Sequence, residues 1–230
     1  MSKSAIVTGA SAGIGSEISR RLCGLGFEVF GIGREFKEPA EEQLFHPIVC
    51  DLLDTQQLLQ NIKDIAARGD VSVLVNNAGV AYYGLHEELN PKKIQQMVRT
   101  NLEVPMILTQ QLLRHLKANR GFVINISSVT AQSSSPHGCA YGATKAGLAG
   151  FSRSLFDEAR KYGVKVVTIY PDMTKTDLYR NADFTVGEEE ASYLLPKEIA
   201  DAVSFILKQR EGAVVSEITV KPQIHRIKRK

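Results

Sequence analysis

What this chain lacks excludes several classes of protein before any motif is considered. No apolar run approaches the roughly 18 residues that a membrane span requires. Only three residues precede the first strand-like run, too few for a secretory signal peptide. A soluble, cytoplasmic protein with no membrane partner is expected. There are three cysteines, Cys23, Cys50 and Cys139, and no Cys-x-x-Cys pair, so neither a disulfide framework nor a zinc site is supported and no metal is expected. No internal repeat and no low-complexity segment is visible, which excludes solenoids and arrays. Excess charge of one sign is also missing: 28 basic residues stand against 25 acidic ones, for a net charge of +3. The one basic cluster, His225-Arg226-Ile227-Lys228-Arg229-Lys230, is expected to be a solvated terminus rather than a nucleic-acid patch.

What is present is enough for a substantial core. A chain of 230 residues with 43% apolar content fits one large domain, here taken as residues 1–222 with a basic tail at 223–230. Strand-like runs near 4–8, 28–33, 47–50, 71–76, 121–127, 164–170 and 217–221 alternate with helix-like segments at 14–25, 55–67, 91–117, 141–162 and 196–208. This alternation predicts an α/β fold, a parallel sheet with helices on both faces. Ligands of such sheets collect at the carboxyl ends of the strands. The crossover 34–46 is short and contains Pro39, so a turn or stub is expected there in place of a full helix.

The first strand runs into Thr8-Gly9-Ala10-Ser11-Ala12-Gly13-Ile14-Gly15 and then into a segment of helical spacing. Glycines in a strand-to-helix turn let the backbone approach a ligand closely, and the helix N-terminus turns free N–H groups and a dipole toward an anion. A dinucleotide pyrophosphate suits that place. Asn76-Asn77-Ala78-Gly79 ends another buried run that belongs beside the first strand, where it can brace the turn and touch the same ligand.

Tyr141 and Lys145 lie four apart on a predicted helix and so share a face. A free phenol has a pKa of about 10, too high for efficient acid–base work at neutral pH, and a nearby ammonium lowers it. Ser128 lies at the end of the buried run Phe122–Ile126, where a hydroxyl can hold a substrate oxygen as its charge develops. Side chains alternate along a strand, so only one of Ser127 and Ser128 faces that point.

These residues, in this order and spacing, resemble the short-chain dehydrogenase/reductase family from residue 4 to about residue 176. The resemblance implies a single-domain, doubly wound Rossmann fold with a mostly seven-stranded parallel sheet. It also implies an NAD(P)-dependent oxidoreductase acting on CH–OH groups, with a small carbonyl or alcohol substrate. Its catalytic set is Asn101, Ser128, Tyr141 and Lys145. Tyr141 is the acid–base group, Ser128 polarises the substrate oxygen, and Lys145 binds the nicotinamide ribose and lowers the Tyr141 pKa. Asn101 holds a water of a proton relay. The implied cofactor set is Gly9, Ser11, Gly13, Ile14 and Gly15 around the pyrophosphate, Asp51 and Leu52 around the adenine, and Asn77, Ala78 and Gly79 beside its ribose. Tyr141, Lys145, Pro171 and Thr176 complete it, Thr176 touching the nicotinamide carboxamide or the phosphates.

At the end of the second strand, Gly33 stands where the family carries an acid and Arg34 where it carries a base. An acid there accepts hydrogen bonds from the ribose hydroxyls and repels a 2′-phosphate, whereas an arginine pairs with that phosphate. NADP(H) is therefore expected over NAD(H), with Glu35 facing away from Arg34. Asp172 departs from the family's Pro-Gly, and the tolerance of aspartate for a left-handed backbone is the expected reason that the turn survives. The stretch from Thr176 to Leu195 interleaves apolar and polar residues without period and is a candidate lid. Arg180 within it suits a carboxylate or plain solvent. Small residues early in helix 141–162, together with helix 91–117, point to a homodimer or homotetramer, as the family commonly forms. Two other readings share the fold: a cofactor-binding regulatory protein without turnover, and an epimerase or dehydratase, whose relatives usually have longer chains.

Overall fold

A computed structural model of the protein describes residues 3–37 and 42–230. Seven strands form one parallel sheet: β1 (Lys3–Thr8), β2 (Glu28–Gly33), β3 (Phe45–Val49), β4 (Asp70–Asn76), β5 (Phe122–Ile126), β6 (Lys165–Pro171) and β8 (Glu217–Val220). Their order is β3-β2-β1-β4-β5-β6-β8. The chain moves outward from β1 to β3, returns to β4 on the other side of β1 and continues to the far edge. The order reverses between β1 and β4, so a crevice opens above their carboxyl ends, as sheets of this topology require.

The central strands are buried on both faces, and their side chains alternate between two cores. Ala5 and Val7 join Val73, Val75, Val167 and Ile169 beneath helices α1 (Gly13–Gly24) and α6 (Pro196–Leu207), which contribute Ile18, Leu22, Ile199 and Val203. Ile6, Phe30 and Leu74 face the other way. They meet Leu58 and Ile62 of α2 (Thr55–Arg68), Leu108 and Leu112 of α4 (Val104–Ala118) and Leu155 of α5 (Cys139–Ala159). One polar rung crosses the second core. Asn76 Nδ2 donates to Asn125 Oδ1 at 2.8 Å, Asn125 Nδ2 to Ser152 Oγ at 2.7 Å, and Ser152 Oγ to Leu148 O at 2.8 Å.

The predicted helix 91–117 is broken. It divides into α3 (Pro91–Val98), a π-helical turn Arg99–Glu103, and α4. Pro105 has no N–H, so the carbonyl of Asn101 four residues earlier has no ordinary helical donor, and the chain widens locally to pass it. Pro39 in the β2–β3 crossover lies outside the described residues.

The basic tail is exposed but is not the free solvated terminus expected from its charge. Residues Ile227–Arg229 form a strand, β9, that pairs antiparallel with β7 (Phe184–Val186), matching Ile227 with Val186 and Arg229 with Phe184. The candidate lid folds into 3₁₀ turns at Asp177–Asn181 and Glu190–Ser192, one on either side of β7. The two partners are far apart in sequence and three residues long, so no local period announces them. No helix among the described residues is long and apolar enough to cross a membrane.

Candidate active site

The glycine turn between β1 and α1 is held by the turn after β4. Thr8 Oγ1 accepts from the backbone N–H groups of Asn77 and Ala78, both at 3.0 Å, and Asn77 Nδ2 donates to Thr8 O at 2.9 Å and Gly9 O at 3.2 Å. Gly9 and Gly13 have φ of +66° and +57°, where a side chain is strained. Gly15 is needed for another reason. A Cβ there would lie 2.1 Å from Gly9 O and 2.5 Å from Asn77 Nδ2, so only glycine lets α1 start this close to β1. Ala12 is the N-cap of α1; no side chain among the described residues caps the helix and its first turn has no acid. The N-terminal N–H groups and positive dipole end are left facing the crevice.

A cleft of about 500 Å³ runs along the carboxyl edge of the sheet from Arg34 to Tyr179. Every site residue expected from the sequence lines it except Gly15 and Asn101. Gly15 is buried in the turn beneath it, and Asn101 stands behind Val80, to which it is doubly tied: Oδ1 accepts from Val80 N and Nδ2 donates to Val80 O, both at 2.9 Å. Asn101 Nδ2 also donates to Thr144 Oγ1 at 3.1 Å, which links the π-helical turn to α5.

At one end of the cleft Arg34 is exposed on its wall, and the neighbouring Glu35 is exposed but outside the lining. A Cβ on Gly33 would sit 3.1 Å from both Ser11 Oγ and Phe36 Cζ, so the acid that the family carries here has no room without displacement. Asp51 accepts from Leu53 N at 3.0 Å, which fixes the turn beside the cleft.

At the other end three side chains converge from β5 and α5. Tyr141 is 3% exposed and hydrogen-bonded to Ser128. Ser128 Oγ also accepts from Thr130 N at 3.2 Å. Ser127 also lines the cleft, but its hydroxyl is directed to Lys145 O, to which it donates at 2.9 Å. Lys145 Nζ donates to Ile126 O at 2.8 Å and lies 5.8 Å from the Tyr141 ring centre. Burial pushes the Lys145 ammonium down to about 8. The phenol differs from the sequence expectation. Burial raises the Tyr141 pKa above the ordinary phenol value, Tyr179 adds to the rise, and the Ser128 hydrogen bond opposes it. No lowering by Lys145 offsets this rise in the cofactor-free protein: the ammonium lies 5.8 Å from the ring centre and donates to the Ile126 carbonyl, and Tyr83 packs against the ring.

Of the aromatics at this end of the cleft, Tyr83 is the one that sequence reasoning missed; Tyr179 and Phe184 belong to the stretch read as a candidate lid. Tyr83 packs 5.8 Å from Tyr141, 6.4 Å from Tyr179 and 4.9 Å edge-on from Phe184, ring centre to ring centre. Its position, four residues past Gly79 in a stretch that lines the crevice, was the available signal. Arg180 is exposed and lines the cleft. Asp172 needs no left-handed backbone: among the described residues the only non-glycine positions with positive φ are Arg120 and His137. Its carboxylate accepts from Met173 N at 2.8 Å, closing the turn after β6. Cys139 is exposed as the first residue of α5.

Comparison with known proteins agrees with this geometry. A family model described as short chain dehydrogenase matches residues 3–185. An uncharacterized oxidoreductase of Staphylococcus epidermidis is 32% identical over 228 residues, covering 96% of this chain and 97% of its own. Serine 3-dehydrogenase of Agrobacterium fabrum is 33% identical over 241 residues, with 96% and 94% covered. Among solved structures, an alcohol dehydrogenase from the archaeon Thermococcus sibiricus, complexed with 5-hydroxy-NADP, superimposes with a TM-score of 0.85 at 25% identity, covering 98% of this chain and 99% of that one.

Proposed function

The chain belongs to the short chain dehydrogenase family of oxidoreductases, and from that premise we propose that it is an NADP(H)-dependent reductase of a small carbonyl compound with Tyr141 as its acid. The observation that carries this reading is the convergence of Ser128, Tyr141 and Lys145 at the end of the same cleft that the glycine turn opens at its middle.

The cleft suits a dinucleotide. The uncapped start of α1 leaves N–H donors for a pyrophosphate, and the absence of a Cβ at Gly13, which would lie 3.1 Å from the Thr176 side chain, leaves room for it. Arg34 would pair with a 2′-phosphate, Asp51 and Leu52 would flank the adenine, and Asn77 to Gly79 would lie along its ribose. Pro171 and Thr176 close the nicotinamide end. The bound cofactor supplies or accepts the hydride; position and charge are the protein's contribution. The NADP-type ligand of the Thermococcus sibiricus enzyme supports the cofactor class.

Ser128 holds the substrate oxygen beside the Tyr141 hydroxyl, and Tyr141 gives that oxygen its proton as negative charge develops on it. Burial keeps the Tyr141 phenol protonated at neutral pH, so the proton to be given is in place, and the charge developing on the substrate oxygen draws it across. Lys145, at about 8, is still largely an ammonium at pH 7. It can therefore hold ribose hydroxyls and steady the phenolate that remains. Asn101, whose backbone carbonyl Pro105 frees from helical bonding, anchors the water that returns a proton to Lys145. The function is tested by screening ketones, aldehydes, diketones and hydroxy acids with NADPH, following nicotinamide absorbance. Tyr141→Phe should lose about 10² to 10⁴ in rate with cofactor affinity unchanged, and near-normal turnover by that variant on any substrate of the wild type would refute the mechanism.

A further inference from the structure

The segment 177–192 that covers Tyr141 has little to hold it by itself. It consists of two 3₁₀ turns and the three-residue strand β7, and so short a strand is not stable alone. What it has is the tail. Beyond the β7–β9 ladder, Lys230 N donates to Asp183 O and Ile224 N to Ala191 O, at 2.8 and 2.9 Å. Lys230 Nζ donates to Tyr179 O at 2.7 Å. Lys228 pairs with Glu188 at 2.7 Å, and Arg226 pairs with Glu189. From β7, Phe184 packs on both Tyr179 and Tyr83, and Tyr83 packs on Tyr141. A continuous chain of contacts thus leads from the tail to the catalytic phenol.

We propose that residues 224–230 are a strap that holds the segment 177–192 down over Tyr141, with Phe184 and Tyr83 as positioning residues that pass its hold to the phenol. Tyr141 and Tyr179 are 3% and 8% exposed while both line the cleft, so in this arrangement the segment narrows the site without sealing it and must loosen for a substrate to seat or leave. A hold of a few backbone hydrogen bonds on the protein surface suits that use, since elements that must open are drawn from the low-stability end of a fold. The backbone ladder carries the hold, because exposed ion pairs contribute little. The inference rests on the reading of Tyr141 as the acid, but part of its test does not.

The test compares wild type, a chain lacking residues 225–230, and Lys228→Pro, which removes one backbone donor from β9 at an exposed position. Amide hydrogen exchange across 178–192 should quicken by on the order of tenfold or more in the shortened chain, and by roughly two- to tenfold in Lys228→Pro, the scale of one ladder hydrogen bond. Substrate KM should rise by about as much, with NADPH affinity within about twofold of wild type. Tyr83→Phe, which keeps the ring, should restore most of the turnover that Tyr83→Ala loses. Unchanged exchange in the folded Lys228→Pro protein, or faster exchange with unchanged substrate KM, overturns the strap. Turnover by Tyr141→Phe would instead overturn the proposed function while leaving the exchange result standing.

Discussion

Lys145→Met should make the cofactor-free protein more stable at neutral pH while removing its activity. The lysine is 3% exposed and its pKa is lowered from 10.5 to about 8 by burial. Holding the charged form inside the fold therefore costs about 3 kcal/mol at pH 7, at about 1.4 kcal/mol per pKa unit. Methionine is of similar length and carries no charge, so this cost disappears. Against it stands the bond to Ile126 O, whose loss leaves a carbonyl short of a partner at about 1–2 kcal/mol. The net gain is about 1–2 kcal/mol, or roughly 2–8 °C in Tm for a chain of this size. The sign can be checked with pH. Between about pH 8 and 10.5 the unfolded wild type binds the lysine proton that the folded state has released, so wild-type stability rises with pH across that window. The advantage of the methionine variant should shrink over the same range. Urea unfolding of both proteins at pH 7 and at pH 10 measures it. A variant less stable than wild type at pH 7, or a difference that does not change with pH, would show that the buried charge is not the dominant cost.

Three further outcomes are expected. Gly15→Ala, which would press a methyl group against Gly9 O and Asn77 Nδ2, should destabilise by about 1–3 kcal/mol and weaken NADPH binding, and a thermal melt and titration matching wild type would contradict the packing described. Arg34→Ala should lower the preference for NADPH over NADH by about 10- to 100-fold, the scale of a charge-assisted contact; an unchanged affinity ratio would remove Arg34 from phosphate recognition. Self-association through the outer faces of α4 and α5, where Met106, Ala143 and Ala146 are exposed and nothing lies within 4 Å of a Cβ on Gly150, should give a dimer or larger species at micromolar concentration. Sedimentation as a monomer would exclude it.

The sheet was legible because its strands are buried on both faces and read as mostly apolar runs, Ala5-Ile6-Val7 and Val73-Leu74-Val75 above all. The cleft was legible because its residues are strand-ending or helix-opening positions whose spacing survives in the linear chain. The break at Arg99–Glu103 could have been anticipated from Pro105 alone. The β7–β9 pairing could not, because three-residue strands show no period and the two lie 40 residues apart in sequence. The Tyr141 pKa was mis-anticipated for a related reason. Helical spacing places Lys145 on the same face, but Tyr83, which packs on the phenol ring, and Tyr179, which adds to the rise, arrive from segments that spacing does not connect to it.

The rung from Asn76 through Asn125 to Ser152 has a consequence for manufacturing tolerance. Apolar side chains grip a helix but leave it some slack, since a leucine slid along a sheet still finds carbon to touch. Hydrogen bonds are indexed: a slip of one residue moves a helix by about 1.5 Å, and bonds of 2.7 and 2.8 Å do not survive it. Ser152 is eleven residues from Tyr141, about three helical turns, and so stands on the same side of α5 as the phenol. The rung acts as a detent on the shaft that carries the catalytic group, setting both its depth and its rotation to a fraction of an ångström before any ligand arrives.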